Sequence, residues 1–437
     1  MIPKPRPLRA TPKRLTAFAV ALVASLLIPS AAIHAQQAKR TVRGSVYEDA
    51  NGNGRRDEVE KGIARVSVSD QASVVLTGDD GRYQIEVAPA ASVIFISVPD
   101  GWNAPAGFWR ALRGQGEGSG GNGESRQSTG SDNTRDLRVD FALRARPKTA
   151  EFIFIHASDT HLQASSLPRI RRLREIVERE RPAFVLITGD LVRDALRVPE
   201  EEARGYYEMF MAEIARFPVP VWTVPGNHEI FGIERQLSGV SKEHPLYGEQ
   251  MYRHYLGPNY YSFTWGGVRF IGLDTADIAD LWYYGHIDAA QLEWLQKDLA
   301  GLAAGAPVVT FNHIPLASAT DGIYGYRDEE PAPTLIRVNG KMQYRHLVSN
   351  TEELLTVLRP FRLEIALGGH MHARESLAYP TSNGTVRFHQ ASAVVGPAQL
   401  PAMTVPSGVT LYRVRDGKID DGTFIPLDDP ATASAPR

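Results

Sequence analysis

The chain has 437 residues, of which 43% are hydrophobic and 22% charged, a formal net charge of −2 and no cysteine. This length predicts two or three domains, and the composition excludes a disordered, collagen-like or multi-span membrane protein. Without cysteine there are no disulfides and no thiolate ligands, so any metal must bind to His, Asp, Glu or Asn side chains. The near-neutral charge gives no indication of nucleic acid as a partner.

The first 35 residues have the pattern of a secretory signal peptide. Basic residues lie between Lys4 and Arg14, residues 15–28 form an apolar stretch, and small residues lead to Ala35. We expect cleavage after Ala35 and export to the periplasm or the exterior, with no membrane span in the mature chain. The alternative is an uncleaved membrane anchor, although the apolar stretch is short for crossing a bilayer.

Residues 36–147 have the pattern of a small all-β sandwich domain. Short apolar runs at residues 41–47, 83–87 and 93–98 are separated by clusters of Gly, Asp and Asn, as is typical of strands joined by tight turns. Residues 114–136 are rich in Gly and Ser and nearly free of apolar side chains. This composition predicts a flexible loop within the β-domain.

The segment at residues 49–60 fits the template of a calcium-binding loop, with Gly54 at the sharp turn. No helical pattern precedes it, so it is not a true EF-hand. The surrounding sequence is similar to B-type repeats of bacterial surface adhesins, which implies a structural calcium ion. The alternative is a solvated Asn/Gly turn without an ion. The predicted calcium-site residues are Asp49, Asn51, Asn53, Arg55, Asp57 and Glu60.

Between residues 150 and 428 the pattern changes to strands that alternate with helices. The apolar runs at 152–156 and 184–188 are typical of buried parallel strands, and residues 167–181 between them have the apolar spacing of a helix. The fold class is therefore predicted as α/β (α+β), preceded by the all-β domain. Residues 429–437 are expected to form a disordered tail.

Five polar motifs follow strand-like runs in this second region. Because the carboxyl ends of strands in an open α/β sheet face a common crevice, we expect these motifs to converge. Carboxylate, imidazole and amide oxygen are ligands suited to Zn, Mn and Fe, which predicts a metal centre. The motifs are Asp159-Thr160-His161, Gly189-Asp190, Gly226-Asn227-His228-Glu229, Asn312-His313 and Gly369-His370-Met371-His372.

The motifs supply ligands for two ions if Asp190 bridges them. Two ions about 3.5–4 Å apart stabilise the attacking and leaving oxygens of a displacement at phosphorus, and they lower the pKa of a bridging water. His228 is predicted to donate a proton to the leaving oxygen or to stabilise charge on the phosphoryl group. The first ion is assigned to Asp159, His161, Asp190 and His372, and the second to Asp190, Asn227, His313 and His370. Structural or surface roles are expected for His34, His156, His244, His254, His286, His346 and His389.

The order of these motifs resembles the calcineurin-like metallophosphoesterase superfamily over about residues 150–395. The resemblance implies a two-sheet β-sandwich flanked by helices, Fe, Zn or Mn as the ions, and hydrolysis of phosphomonoesters, phosphodiesters or pyrophosphates. Residues 191–194 lack the tyrosine that purple acid phosphatases carry after Gly-Asp, so the chain is more similar to the cyclic-nucleotide-phosphodiesterase-like branch. Residues 255–263 and the N-terminal domain resemble exported bacterial members with a transthyretin-like module.

The sequence therefore predicts an exported phosphohydrolase in which a metal-bridging hydroxide attacks a phosphate ester, with phosphodiesters preferred. The substrate is expected to be a small phosphate ester or a component of the cell envelope. The alternatives are a phosphomonoesterase of the same family and a non-catalytic metal-binding or adhesion protein of the surface. No substrate-binding residue is assigned, because the aromatic loops at 275–287 and 314–345 can either stack on a base or sugar or pack against each other.

Overall fold

A computed structural model gives the conformation of most of the chain. The predicted signal peptide, the Gly/Ser-rich loop and the C-terminal tail lie outside the described residues. In the part of the chain that is described, no helix is long and apolar enough to cross a membrane. The described residues are 40–112, 137–329, 333–381, 384–400 and 403–428.

The N-terminal residues form two β-sheets that share an apolar core. One sheet has the order β4-β1-β9-β6, with β8 beside β1, and the other has the order β3-β2-β5-β7. Strand β4 alternates exposed and buried side chains, as expected of a strand with one face on a core. This arrangement confirms the predicted all-β sandwich. The strands are β1 (Arg40–Glu48), β2 (Ser67–Ser69), β3 (Val74–Leu76), β4 (Arg82–Val87), β5 (Val93–Ile96), β6 (Trp102–Asn103), β7 (Trp109–Ala111), β8 (Leu137–Arg138) and β9 (Phe141–Ala145).

The remaining described residues form two larger sheets, three two-stranded sheets (β15-β16, β18-β19 and β23-β24) and helices between the strands, as the α/β (α+β) prediction requires. The helices are α1 (Leu167–Glu180), α2 (Glu200–Ile214), α3 (Arg235–Ser238), α4 (Gln250–Leu256), α5 (Ala289–Leu299), α6 (Thr320–Tyr324) and α7 (Thr351–Leu358). The strands are β10 (Glu151–Ala157), β11 (Val185–Thr188), β12 (Val221–Val224), β13 (Tyr261–Trp265), β14 (Val268–Gly272), β15 (Ala276–Ala279), β16 (Trp282–Gly285), β17 (Pro307–Phe311), β18 (Leu335–Val338), β19 (Lys341–Tyr344), β20 (Arg362–Gly368), β21 (Glu375–Thr381), β22 (Gly384–Gln390), β23 (Ala398–Leu400), β24 (Met403–Val405), β25 (Gly408–Arg415), β26 (Lys418–Ile419) and β27 (Thr423–Pro426).

The first of these sheets has the order β12-β11-β10-β25-β26, with β27 beside β25, and the second has the order β13-β14-β17-β20-β22-β21. Strand β10 separates two apolar cores. Phe152 and Phe154 belong to the core that includes side chains of the second sheet, whereas Ile155 and Ala157 belong to the core beneath α1 and α2. His156 is fully buried in this strand, which confirms that it is a packed core residue.

The N-terminal strands pack against β13, the edge strand of the second large sheet. Val98 forms a parallel bridge with Phe263, and the Thr264 amide donates a 2.9 Å hydrogen bond to the Val98 carbonyl. Nearby, Gln71 Nε2 donates to Asn259 Oδ1 at 2.8 Å. The described residues consequently belong to one compact unit, and a domain boundary near residue 148 stays a prediction.

Candidate metal centre

Each of the five motifs begins within a few residues of the end of a strand. Strands β10, β11 and β12 are parallel neighbours in one sheet, and β17 and β20 are parallel neighbours in the other. Asp159 and Asp190 follow the first two strands, and His313 and His370 follow the last two. The motifs therefore converge as predicted, but the carboxyl ends of two sheets supply them instead of the edge of a single open sheet.

The residues predicted for the first ion form one group, in which all but His372 are buried. The ligand atoms of Asp159, His161, Asp190 and His372 all lie within 4.8 Å of one another. His161 Nε2 lies 3.6 Å from Asp190 Oδ2, and His372 Nε2 lies 3.1 Å from Asp159 Oδ1. The two Nε2 atoms of His161 and His372 face each other at 3.2 Å. Four nitrogen and oxygen atoms around one point are suited to a transition-metal ion.

A second group shares Asp190 with the first. Asp190, His313 and His370 satisfy the same distance limit, and His313 Nε2 lies 3.1 Å from both Asp190 Oδ1 and His370 Nδ1. Asn227 Oδ1 completes this group at 3.2 Å from His313 Nε2. Asp190 thus directs Oδ1 toward one group and Oδ2 toward the other, which is the geometry of a bridging carboxylate.

The backbone at this centre is unusual for residues other than glycine. Asp159, His161, Asp190, His370 and His372 all have positive φ, between 37° and 69°. This left-handed conformation is unfavourable for side chains with a Cβ, and it concentrates at functional sites, where the surrounding structure enforces it.

Backbone carbonyls fix the tautomers of two of the histidines. A carbonyl only accepts hydrogen bonds, so His313 Nδ1 is the donor in its 2.8 Å contact with the Thr188 carbonyl. In the neutral ring, His313 Nε2 then keeps the lone pair that would bind a metal ion. His228 Nδ1 donates in the same way to the Arg193 carbonyl at 2.8 Å, and its Nε2 lies 3.9 Å from Asp190 Oδ2. Such outer hydrogen bonds orient imidazole ligands.

The electrostatics of the centre suit a cation. Burial opposes ionisation of Asp190, but the rings of His313 and His228 hold its pKa well below the usual value. Burial also disfavours a proton on His313, but Asp190 raises the pKa of that ring to about 9. Among the described residues no hydrogen bond of good geometry reaches the buried Asp159 Oδ1, although His372 Nε2 lies 3.1 Å away. The two carboxylates are ionised and are balanced by protons on the neighbouring histidine rings. A metal ion could replace these protons, since metal binding releases protons from its ligands.

Glu229 holds two of the motif loops together, a role that the sequence analysis did not assign. Its carboxylate accepts hydrogen bonds from the amides of Leu191, Val192 and Gly226 at 2.6–2.9 Å. Burial and the charge of Asp190 raise the pKa of Glu229 to about 8, although the amide donors favour its ionised form. The only sequence signal was its position directly after His228.

The aromatic loops divide into a buried part and an exposed part. The Arg345 guanidinium lies over the rings of Trp282 and Tyr283, at 4.6 and 4.5 Å from their centroids. These two aromatic residues thus pack against the neighbouring loop. Tyr326 and Tyr344 are exposed, and their ring centroids are 5.1 Å apart. No local sequence pattern predicts this arrangement, in which Arg345 is buried.

The predicted calcium loop is ordered by its own hydrogen bonds. Asp49 accepts from the amides of Gly52 and Gly54, and Glu60 accepts from the amides of Ala50 and Asp57. Two further predicted residues also take part: Asn51 and Asn53 both donate through Nδ2 to Asp57 Oδ2. Arg55 donates its backbone amide to Asn53 Oδ1. Calcium binding by this loop stays a prediction.

Comparison with protein families confirms the resemblance drawn from the motifs. Residues 152–374 match the family described as "Calcineurin-like phosphoesterase". Residues 50–114 match its companion domain, described as "N terminal of Calcineurin-like phosphoesterase". The N-terminal match covers the predicted calcium loop except Asp49, and most of the strands of the β-sandwich.

Two curated relatives are phosphodiesterases by name. The chain is 29% identical over 185 residues to a "Probable cyclic nucleotide phosphodiesterase" of Rhodococcus erythropolis, which covers 40% of this chain and 56% of that protein. It is 28% identical over 195 residues to a "cAMP/cGMP dual specificity phosphodiesterase" of Mycobacterium tuberculosis, with 42% and 55% covered. The chain therefore spans a little over half the length of these relatives.

Similar solved structures include a dimetal phosphatase from Danio rerio, with a TM-score of 0.40 and 16% identity over 63% of this chain and 99% of that chain. Another is GAP50, described as the anchor in the inner membrane complex of Plasmodium, with a TM-score of 0.41 and 12% identity over 64% of this chain and 86% of that chain.

Proposed function

Because the chain belongs to the calcineurin-like phosphoesterase family and is a hydrolase of phosphoric ester bonds, we propose that it cleaves phosphodiesters at a centre of two metal ions. The observation that carries this proposal is the position of Asp190 between two groups of metal-binding side chains. Asp159, His161 and His372 would hold the first ion with Asp190. Asp190, His313 and His370 would hold the second ion with Asn227, and the ions would be Mn, Fe or Zn.

Two such ions supply Lewis acidity and a nucleophilic water at neutral pH. The side chains of this protein position the reacting groups around them. His228 is half-buried beside Asp190, and its Nδ1 is tied to the Arg193 carbonyl. Its Nε2 is therefore free to hold a proton for the leaving oxygen. Glu229 joins the loops that carry His228 and Asp190, and it thereby holds these two side chains in place relative to each other.

A diester substrate is supported by the names of the two curated relatives, and a monoester is the alternative within the same family. The signal-peptide pattern of residues 1–35 supports export to the periplasm or the exterior. An exported enzyme meets phosphate esters of the cell envelope or small esters from outside the cell. The near-neutral net charge gives no indication of nucleic acid as a partner, and the substrate stays a proposal.

The test is hydrolysis of bis-p-nitrophenyl phosphate and p-nitrophenyl phosphate by the Mn²⁺-loaded protein. We expect the diester to react faster than the monoester. Asn227→Ala should reduce both rates at least about 100-fold, since loss of an outer-sphere partner alone costs 10–100-fold. Asn103→Ala, on the N-terminal strand β6, is the matched control and should retain the rates.

A faster monoester reaction would contradict the preference for diesters but keep the metal centre. No metal-dependent hydrolysis of either compound with Mn, Fe or Zn, together with fewer than two bound ions, would contradict the proposed function. That result would favour a non-catalytic metal-binding or adhesion protein.

A further inference from the structure

His346 contacts a predicted ligand of the second metal ion from outside the centre. Its Nδ1 lies 2.7 Å from His370 Nε2, and the two rings are nearly parallel, with centroids 4.9 Å apart. The other nitrogen of His370, Nδ1, faces His313 Nε2 at 3.1 Å. One ring nitrogen of His370 therefore faces the metal centre, and the other faces His346.

This arrangement fixes where the ring protons must lie when an ion is bound. A ligating Nδ1 of His370 must carry a lone pair, so the proton of a neutral ring lies on Nε2. Nε2 then donates to His346 Nδ1, which must be the acceptor. Since a hydrogen bond on the far nitrogen sets the tautomer and rotation of an imidazole ligand, His346 holds His370 in its ligating form.

The segment that carries His346 is fixed in place by its neighbours. The Arg345 guanidinium is covered by aromatic rings, and its Nη1 donates to the Pro333 carbonyl at 3.0 Å. On the other side, the Val348 amide donates to the Pro315 carbonyl at 3.0 Å and the Ser349 amide to the Gly285 carbonyl at 2.8 Å. Pro315 is two residues from His313, so the loop that presents His346 is anchored beside the second group.

We propose that His346 is a positioning residue that sets the affinity of the second metal ion by orienting His370. The proposal rests on the proposed dinuclear centre and adds to it a residue outside the five motifs. It makes the segment at residues 345–349 a determinant of metal occupancy. His346 is not within the distance limit of the group formed by Asp190, His313 and His370, so it acts through His370.

The test compares His346→Phe and His346→Asn in the full chain. Phenylalanine keeps a flat ring beside His370 but cannot accept a hydrogen bond. Asparagine places an amide oxygen near the position of Nδ1 and retains the acceptor. Calorimetric titration of the metal-free protein with Mn²⁺ should show an affinity for the second ion that is 10–100-fold weaker in His346→Phe. The first affinity should be unchanged, and His346→Asn should recover most of the second.

His254→Phe is the matched control, because the His254 ring packs against Tyr255 on α4 and should leave both affinities unchanged. A second-ion affinity in His346→Phe equal to that of the wild type would overturn the inference while leaving the dinuclear centre intact. An equal loss in the Phe and Asn variants would also overturn it, since ring packing alone would then account for the effect. Wild-type protein that binds fewer than two ions would contradict the proposed function itself, and the inference with it.

Discussion

Asp190 Oδ1 lies 3.1 Å from His313 Nε2, although the two residues follow strands of different sheets. Asp190 follows β11, and His313 follows β17. The metal centre therefore depends on how the two sheets are held against each other at their carboxyl ends. A change that moves Asp190 is expected to affect both ions together, because its second oxygen faces His161.

Gly226 provides the first prediction, because a side chain at this position would displace Asp190. A Cβ added to Gly226 would lie 2.3 Å from Asp190 Oδ1 and 2.4 Å from its backbone nitrogen. We expect Gly226→Ala to lose metal binding and to lower the rate of diester hydrolysis at least about tenfold. Metal content and the hydrolysis rate measure this effect.

Gly205→Ala is the control for that experiment. Gly205 lies within α2 with open space around its Cβ position, so alanine should stabilise the protein by about 0.5–1 kcal/mol and leave the metal content unchanged. Full metal occupancy in Gly226→Ala would show that the contact with Asp190 does not position the carboxylate.

Local sequence patterns predicted the elements that carry the centre. The apolar run at 152–156 corresponds to β10, and the helical spacing at 167–181 corresponds to α1. These patterns succeed because each element buries one face whose period is visible in the sequence. The convergence of the motifs was also predictable, since each motif follows a strand.

Long-range contacts could not be predicted in the same way. His346 reaches His370 only because the loop before α7 folds back beside β16, and no local pattern marks that return. The strand patterns predicted a single open sheet, and the family resemblance implied a two-sheet fold without dividing the motifs between the sheets. The contact between Gln71 and Asn259 likewise joins residues far apart in the sequence.

Gln71 gives a prediction about the packing of the N-terminal strands. It is buried, and its Nε2 donates to Asn259 Oδ1 and to the Tyr260 carbonyl. Gln71→Ala should lower the free energy of unfolding by about 1–3 kcal/mol, because buried acceptors lose their donor. Chemical denaturation measures it, with Gln84→Ala, on the exposed face of β4, as the control. A free energy of unfolding unchanged from the wild type would contradict the importance of this contact.

His156 gives a prediction about pH. Burial lowers the pKa of His156 to about 3, whereas the unfolded chain binds this proton below about pH 6.5. Between these two pKa values the unfolded state therefore binds more protons than the folded state. Because of this difference, the folded protein loses stability as the pH falls. As the pH falls from 6 to 4, the free energy of unfolding of metal-free His156→Leu should rise relative to that of the wild type. The expected rise is about 1.4 kcal/mol per pH unit.

Chemical denaturation of both proteins across this pH range measures the difference in free energy of unfolding. Val185→Ala, on the adjacent strand, is the control variant. Val185 does not titrate, so its difference from the wild type should be constant with pH. A constant difference for His156→Leu as well would mean that this histidine becomes protonated in the folded protein.

The loop at residues 49–60 is expected to bind calcium as a structural ion. Millimolar Ca²⁺ should raise the melting temperature of the metal-free protein, because a ligand that binds only the folded state stabilises it. Glu60→Gln should reduce this increase, whereas Asp80→Asn, on an exposed turn of the same domain, should keep it. An increase that is the same in Glu60→Gln and the wild type would assign calcium to another site and leave the loop as a solvated turn.

The stoichiometry of bound metal tests whether Asp190 joins two metal ions in one centre. The wild-type protein and Asp190→Asn would be loaded with Mn²⁺, freed of excess ions and analysed by mass spectrometry of the metal content. We expect two ions per wild-type chain and fewer than one in Asp190→Asn. A single ion in the wild type, or two ions retained in Asp190→Asn, would contradict this expectation.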